Sequence, residues 1–232
     1  MTVEDTMINQ TEAQKTIQAN EVQHLTESEL MDVLECARKT SRRDHSLILT
    51  MYWHGLRNQE VARLRLSDID FASCLLTVQR QKSSLKTTQP LVKMKGHPAK
   101  CELTALKTWL KERGEQVSQY VFTSNRDGSC LGQKQINRLF AKYCTMASQV
   151  RKERGDNPIA ESAWHAHALK HTRGTLLAEK GASLLAIKLV LGHKSAQSSE
   201  RYLHATQKTA WIEAMKLDTD FAMTRFLNKC MP

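Results

Sequence analysis

The strongest constraint on this chain is the spacing of its apolar residues, which follows the period of an α-helix over most of its length. Leu30, Val33 and Leu34 form one such stripe, preceded by Thr26 and Glu29 in the spacing of a capping box. A chain with this pattern buries each helical stripe against its neighbours. Its 232 residues are enough to form one full hydrophobic core.

One segment departs from the helical period. Leu76 and Val78 alternate with polar residues, and Val92 lies in a second apolar run. We predict a β-hairpin here, with Lys82 at or near its turn. The predicted fold class is therefore α+β and mostly α-helical, with one small antiparallel sheet.

The remaining elements follow from the same periodicity. We predict helices, in chain order, over residues 44–53, 58–64, 102–112, 133–150, 167–179 and 183–190, from 198 to about 217, and over 221–230. The charged stretch 151–158 ends in Asn-Pro and is predicted to be a loop.

The charge of the chain favours a polyanionic partner. Lys and Arg outnumber Asp and Glu by 34 to 24, a net charge of +10, whereas residues 1–24 hold four acidic side chains and one lysine. Nucleic acid is the commonest partner of so basic a protein. No stretch is apolar enough to cross a bilayer, and the polar N-terminus is not a signal peptide. We expect a cytoplasmic, nucleoid-associated protein without a membrane partner.

The cysteines and histidines do not predict a metal site. Six cysteines are scattered without a C-x-x-C pair, so we interpret them as buried or idle thiols rather than disulfides or zinc ligands. The four histidines His165, His167, His171 and His204 do not have the spacing of a standard zinc site. We predict no metal and no cofactor.

Three motifs carry reactive groups. They read HGLRNQEV over residues 54–61, HALKHT over 167–172 and LGHKSAQSSERY over 191–202. Together they contain a phenol, imidazoles and cations that could surround one phosphate. Such a set can cut a DNA strand through a phosphotyrosine, because fixed cations spread the charge of a five-coordinate phosphorus.

In order and spacing these motifs resemble the conserved boxes of the tyrosine site-specific recombinases, the phage integrase family, over about residues 25–207. The run RQKSSLKTTQPL over residues 80–91 is similar to the hairpin of the short fimbrial phase-switch recombinases in that family. The resemblance implies a tyrosine-recombinase catalytic-domain fold. It also implies an enzyme that cleaves and rejoins DNA through a 3′-phosphotyrosine, in integration, excision or inversion.

We predict three regions: a flexible N-terminal arm (1–22), which is polar and lacks an apolar pattern, a recombinase catalytic domain (23–207) and a C-terminal helical segment (208–232). The last segment is apolar enough to pack on a neighbouring subunit, as in the family, or to fold back on its own core. The implied partners are double-stranded DNA recombination sites, further copies of the chain in a tetramer on DNA, and accessory DNA-bending proteins.

The predicted catalytic residues are Arg57, Lys82, His167, Lys170, His193 and Tyr202. Tyr202 is the predicted nucleophile. Arg57 can hold two phosphate oxygens with its planar guanidinium. Lys82 is the predicted general acid for the 5′-hydroxyl leaving group, and Lys86 is its rival for that role.

The histidines are assigned different roles. His167 and His193 are predicted to donate hydrogen bonds to the non-bridging oxygens, and His167 is also a candidate proton acceptor. His171 is predicted to support the helix rather than to touch substrate, and Glu60 to anchor Arg57 or a loop. Outside these motifs, the basic residues predicted to contact DNA are Arg63, Arg65, Lys86, Arg138 and Lys142.

Lys170 departs from the family, which has a second clamp arginine at this position. Lysine keeps the charge but loses the bidentate fork. An active enzyme adapted to lysine, a slow enzyme and a DNA-binding regulator that no longer cuts all remain open. A type IB topoisomerase, which shares the same groups, is a further alternative. Arg173 stands where the family usually has an apolar or aromatic residue, and we do not expect it to replace the missing arginine.

Overall fold

A computed structural model describes residues 23–81, 86–115, 118–124, 127–200 and 202. The predicted N-terminal arm (1–22) and C-terminal segment (208–232) lie outside these residues. So do Lys82 and nearly all of the helix predicted to follow residue 198.

The described chain is mainly α-helical, with one small sheet, as the sequence predicts. Its helices are α1 (Glu27–Thr40), α2 (Arg42–His54), α3 (Asn58–Ala62), α4 (Glu102–Arg113), α5 (Gln133–Glu153), α6 (His167–Glu179), α7 (Leu184–Leu191) and α8 (Gln197–Glu200). The strands are β1 (Ile69–Asp70), β2 (Leu75–Val78) and β3 (Thr87–Pro90). Short 3₁₀ turns lie at Leu66–Asp68, Pro98–Lys100 and Glu161–Ala163.

Helix α2 is the centre of the fold. It packs against α1, α4 and α6, and α1 also packs against α5. Ten of its thirteen residues are buried, and five of these are apolar, namely Leu47, Ile48, Leu49, Met51 and Tyr52. The capping box before α1 is formed as predicted, because the Glu29 backbone N–H donates to Thr26 Oγ1 and the Thr26 N–H donates to Glu29 Oε2.

The three strands form an antiparallel sheet in the order β1-β2-β3. Leu75 lies opposite Pro90 and Val78 opposite Thr87, so residues 79–86 connect the two longer strands. The predicted pairing is confirmed, but the prediction that Val92 belongs to the second strand is wrong. The Val92 N–H donates to the Glu102 carboxylate at 3.0 Å, which ends the sheet and leads the chain into α4.

The boundary of α5 also differs from the prediction. The helix continues to Glu153, so part of the charged stretch predicted as a loop is helical. Arg151 is buried there because its guanidinium donates to Asp32 at 2.7 Å and to the Asn157 carbonyl at 2.7 Å. The charge of Arg151 predicts an exposed side chain, but the structure buries it in an ion pair that links α5 to Asp32 of α1.

Candidate active site

The first and third motifs meet where α2 and α7 end. Gly55 ends α2 with φ +55° and Gly192 ends α7 with φ +61°, a backbone conformation that glycine adopts without strain. A Cβ on Gly55 would lie 2.5 Å from Leu191 Cδ2, and one on Gly192 would lie 2.5 Å from Arg80 Nε. Both glycines are therefore required for this close approach.

Glu60 fixes the orientation of Arg57 at this corner. Arg57 donates to the Glu60 carboxylate through its backbone N–H at 2.9 Å and through Nη1 at 2.9 Å. The Glu60 side chain is fully buried, whereas the Arg57 side chain is 26% exposed. Glu60 thus fixes the guanidinium on its buried side, and the exposed side can contact a ligand.

The pKa of Glu60 lies below its ordinary value. Burial alone would raise it, but the Arg57 backbone hydrogen bond, the charges of Arg80 and Lys170, and the Gln81 backbone hydrogen bond outweigh that effect. The carboxylate is therefore ionised at neutral pH. It pairs with the guanidinium groups of Arg57 and Arg80.

Arg80 is a structural member of the site that the sequence analysis did not single out. Its side chain is fully buried. Its hydrogen bonds go to Thr87 Oγ1, to Glu60 Oε2 and to the carbonyl oxygens of His54, Gly55 and Val190. One guanidinium therefore joins the ends of α2 and α7 to the hairpin.

A sequence signal for Arg80 did exist. Leu76 and Val78 are buried at alternate positions of β2, and Arg80 continues the same alternation. The pattern indicates an inward-facing arginine, which requires partners in the interior. Lys82, the predicted general acid, comes two residues later and lies outside the described residues.

Lys170 lies inside the protein, and its residue is only 2% exposed. Its ammonium donates to the Gly55 carbonyl at 2.9 Å and to the Leu191 carbonyl. Burial, reinforced by the positive charge of Arg57, lowers the pKa of Lys170 to about 7, although Glu60 opposes the shift. Lys170 therefore joins the first and third motifs, and a large part of its population is neutral near pH 7.

Arg173 does not replace the missing arginine in this structure. Its guanidinium carbon lies 4.7 Å from the Trp53 ring centroid and 5.4 Å from that of Tyr52. Stacking of this kind stabilises a cation on an aromatic face. Arg173 is thus engaged with α2 and not with the carbonyls that bind Lys170.

The predicted nucleophile lies beside the histidines of the second and third motifs. The Tyr202 hydroxyl is 3.0 Å from His171 Nδ1, and the residue is 2% exposed. The ring of His193 is nearly parallel to that of Tyr202, with centroids 6.3 Å apart. His167 meets His171 edge-on at 4.6 Å. The contact between His171 and Tyr202 was not predicted from the sequence.

A buried serine holds the third motif in place. Ser199 is fully buried in α8, and its Oγ lies 2.8 Å from His193 Nδ1. This contact fixes the His193 ring beside Tyr202. Nothing in the sequence analysis pointed to Ser199, because a lone serine has no distinguishing pattern.

The Tyr202 ring has a seat on α6. A Cβ built on Gly174 would lie 2.6 Å from Tyr202 Cζ, so the ring rests directly on the helix at this glycine. Apolar side chains complete the seat, namely Ala178, Ile187 and Leu191. The seat places the phenol oxygen near the histidines.

Gly174→Ala is expected to displace Tyr202 and to slow covalent attack on DNA by about 10²-fold, since a shift of about 1 Å can cost that much. Alanine is the better helix former by up to about 1 kcal/mol, so the fold should not be lost. Adduct formation and thermal unfolding should be measured together. Wild-type attack rates in the alanine variant would show that the ring does not depend on this seat.

The predicted DNA-contacting residues fall into two groups. Arg63, Arg65 and Lys86 are exposed and line one groove of about 620 Å³ that also reaches Glu60 and Arg80. Arg138 and Lys142 are exposed one turn apart on α5 and do not line that groove. The structure thus brings three of the five predicted contacts into the groove that reaches Glu60, the partner of Arg57.

The described residues offer neither a membrane span nor a metal site. No helix among them is long and apolar enough to cross a bilayer. Within the same ranges, no three His, Cys, Asp or Glu side chains are placed to hold a metal ion. The cysteines that the structure describes are free thiols, namely Cys36, Cys74, Cys101, Cys130 and Cys144.

Comparison with known proteins shows which family the chain belongs to. The sequence profile of the phage integrase family matches residues 23–209, which include all three motifs. The chain belongs to the phage integrase family. This family member is 31% identical over 183 residues to the type 1 fimbriae regulatory protein FimB of Escherichia coli, covering 77% of this chain and 82% of FimB. It is 29% identical to the tyrosine recombinase XerA of Pyrococcus furiosus, covering 79% of this chain and 58% of that protein.

Solved structures confirm the fold of this phage integrase family member. The crystal structure of XerA recombinase aligns with a TM-score of 0.64 at 21% identity, over 83% of this chain and 64% of that one. The XerH site-specific recombinase bound to its difH substrate, a post-cleavage complex, aligns with a TM-score of 0.65 at 22% identity. That alignment covers 84% of this chain and 53% of XerH, so the chain spans less than two thirds of both recombinases.

Proposed function

We propose that this chain is a site-specific DNA recombinase, which cleaves and rejoins strands through a 3′-phosphotyrosine formed on Tyr202. The observation that carries the proposal is the convergence of three remote motifs. The Tyr202 hydroxyl lies 3.0 Å from His171 Nδ1 and its ring is nearly parallel to that of His193. Lys170 binds the carbonyls of Gly55 and Leu191 at the junction of α2 and α7, and Arg57 is held by Glu60 at the same corner. A phosphodiester bound there would meet a nucleophile and cations together.

Each group has a separate role in the proposed reaction. The Tyr202 oxygen attacks phosphorus and forms the Tyr–O–P bond, while the bond from phosphorus to the 5′-oxygen breaks. Lys82, or Lys86 in its place, protonates the leaving 5′-oxygen. Arg57, Lys170, His167 and His193 stabilise the negative charge on the non-bridging oxygens. The covalent ester conserves the bond energy, so the reverse attack rejoins DNA without ATP.

The positions of the flanking groups support the two candidate general acids. The Gln81 N–H donates to Glu60 Oε1 at 3.2 Å. The chain that follows β2 therefore starts beside Glu60, the residue that holds Arg57. Lys82 follows at once along the chain, and Lys86 lies in the groove beside Arg63. Replacing each lysine with methionine would separate them, because a leaving group that needs no proton restores activity only in the variant that lacks the acid.

The assembly and regions of the protein belong to the same proposal. The groove beside Arg63, Arg65 and Lys86 would receive the DNA backbone, and Arg138 and Lys142 would contact it further along.

We propose a catalytic domain over 23–207, a tetramer on paired sites, and accessory DNA-bending proteins. Of the functions considered, the regulator that no longer cuts is not favoured, since the chain keeps the nucleophile and its seat.

Covalent trapping tests the proposal. A duplex would be built on a pair of short inverted repeats found beside the gene, with a nick placed near the cleavage point so that the released fragment diffuses away. We expect a covalent protein–DNA adduct, and mass spectrometry of its peptides should locate the nucleotide on Tyr202. An adduct on another residue, or no adduct on DNA that the protein binds, would overturn the proposed function.

A further inference from the structure

We propose that His171 is a further catalytic residue, which accepts the phenol proton of Tyr202 as the oxygen attacks phosphorus. The inference rests on the proposed function and assigns one of its steps. His171 Nδ1 lies 3.0 Å from the Tyr202 hydroxyl, within hydrogen-bond distance of the reacting oxygen. A phenol is a weak nucleophile until its proton is removed, so a group at this position has a chemical task.

The helix α6 builds this contact from two residues on one face. His171 and Gly174 are three positions apart, which places both on the side of α6 that faces Tyr202. Gly174 allows the ring to lie against the backbone, and the hydroxyl then ends at the imidazole. The Tyr202 residue is only 2% exposed, and the His171 imidazole lies within hydrogen-bond distance of its hydroxyl, where it can take the proton.

In this arrangement the three imidazoles have different roles. An imidazole that accepts at Nδ1 carries its own hydrogen on Nε2. His193 is oriented by Ser199 through Nδ1, and His167 meets His171 edge-on. The sequence made His167 a candidate acceptor, and the structure places His171 Nδ1 within hydrogen-bond distance of the phenol. In this proposal His167 and His193 keep their predicted role as donors to the phosphate oxygens.

Protons and bonds balance in both directions. During cleavage the phenol proton moves to His171, the Tyr–O–P bond forms, and the leaving 5′-oxygen takes a proton from the general acid on the hairpin. During rejoining the 5′-hydroxyl attacks phosphorus and gives its proton back to the general acid on the hairpin, which acts as a base in this direction. The Tyr–O–P bond breaks, and His171 returns its proton to Tyr202. No metal or further reactant is required.

The kinetic test uses His171→Asn. The asparagine amide lies near the position of Nδ1 and keeps a hydrogen bond to the phenol, but it cannot accept the proton. With the nicked duplex at saturation, we expect adduct formation to slow by about 10²–10⁴-fold, the usual contribution of general base catalysis, with unchanged DNA affinity. His97→Asn, the same change at an exposed loop histidine, should react at the wild-type rate.

A second substitution separates proton transfer from a merely structural role. With 3,5-difluorotyrosine at position 202, whose phenol is more acidic, the loss caused by His171→Asn should shrink severalfold. A loss that stays the same size would mean that His171 only positions the ring, and would overturn the inference. Wild-type rates in His171→Asn would overturn it as well, while leaving the proposed function intact. Absence of any wild-type adduct would instead defeat the proposed function and this step with it.

The tautomer can be tested without DNA. In ¹⁵N NMR of the free protein, His171 should carry its hydrogen on Nε2, and Tyr202→Phe should change its Nδ1 shift. A hydrogen on Nδ1 would mean that the imidazole donates to the phenol, which contradicts the proposal.

Discussion

Replacing Tyr202 with phenylalanine is expected to abolish covalent attack on DNA completely while DNA affinity and the fold persist. Phenylalanine fills the same seat on Gly174 and among the apolar residues of α6 and α7. The variant loses one hydrogen bond, to His171, which costs about 1 kcal/mol of stability. Without the oxygen there is no atom to form the ester, so no residual adduct is expected.

The trapping reaction with the nicked duplex measures this result directly. Tyr120→Phe is the matched control, since Tyr120 pairs through its backbone with Arg65 and does not lie in the Tyr202 seat. It should form adduct at the wild-type rate. Equal trapping by wild type and by Tyr202→Phe would remove Tyr202 from the mechanism.

The second large effect is expected at Lys170. Lys170→Met should slow adduct formation by about 10²–10³-fold, the cost of losing one preorganised donor to a developing negative charge. Lys170→Arg is expected to keep or improve activity at neutral pH, because a guanidinium restores the bidentate fork. Single-turnover rates of the three proteins give the comparison.

The pH dependence should distinguish lysine from arginine. Burial and the charge of Arg57 lower the pKa of Lys170 to about 7, so its ammonium is lost as the pH rises through this value. At subsaturating DNA, the wild-type rate should therefore decline above about pH 7. Lys170→Arg stays protonated and should lack this decline. Superimposable profiles would show that the charge of Lys170 plays no part.

The same ionisation predicts how stability responds to pH. The ordinary lysine pKa is 10.5, so between about 7 and 10.5 the unfolded chain holds a proton that the folded chain lacks. The free energy of unfolding must then rise with pH, by on the order of 2–3 kcal/mol between about pH 7 and about pH 9. Urea unfolding should show this rise in the wild type and its loss in Lys170→Met. Lys180→Met, at an exposed lysine of the same region, should retain the rise.

Several elements could be predicted from the sequence because their causes are local. Helix α6 begins at His167 and ends at Glu179, as its periodicity predicts. The capping box of α1 and the alternation of β2 are also formed by residues close in sequence. The end of α5 was placed too early, because Arg151 is buried by Asp32, a residue that local pattern cannot supply.

The fold class, the hairpin, the order of the three motifs and the kinds of reactive groups were readable in the chain itself, since each depends on short-range spacing. The contacts of those groups were not. Lys170 binds the Gly55 carbonyl across 115 positions, and His171 meets Tyr202 across 31. Such contacts depend on where separate helices end and how they pack, so they form only in the folded core.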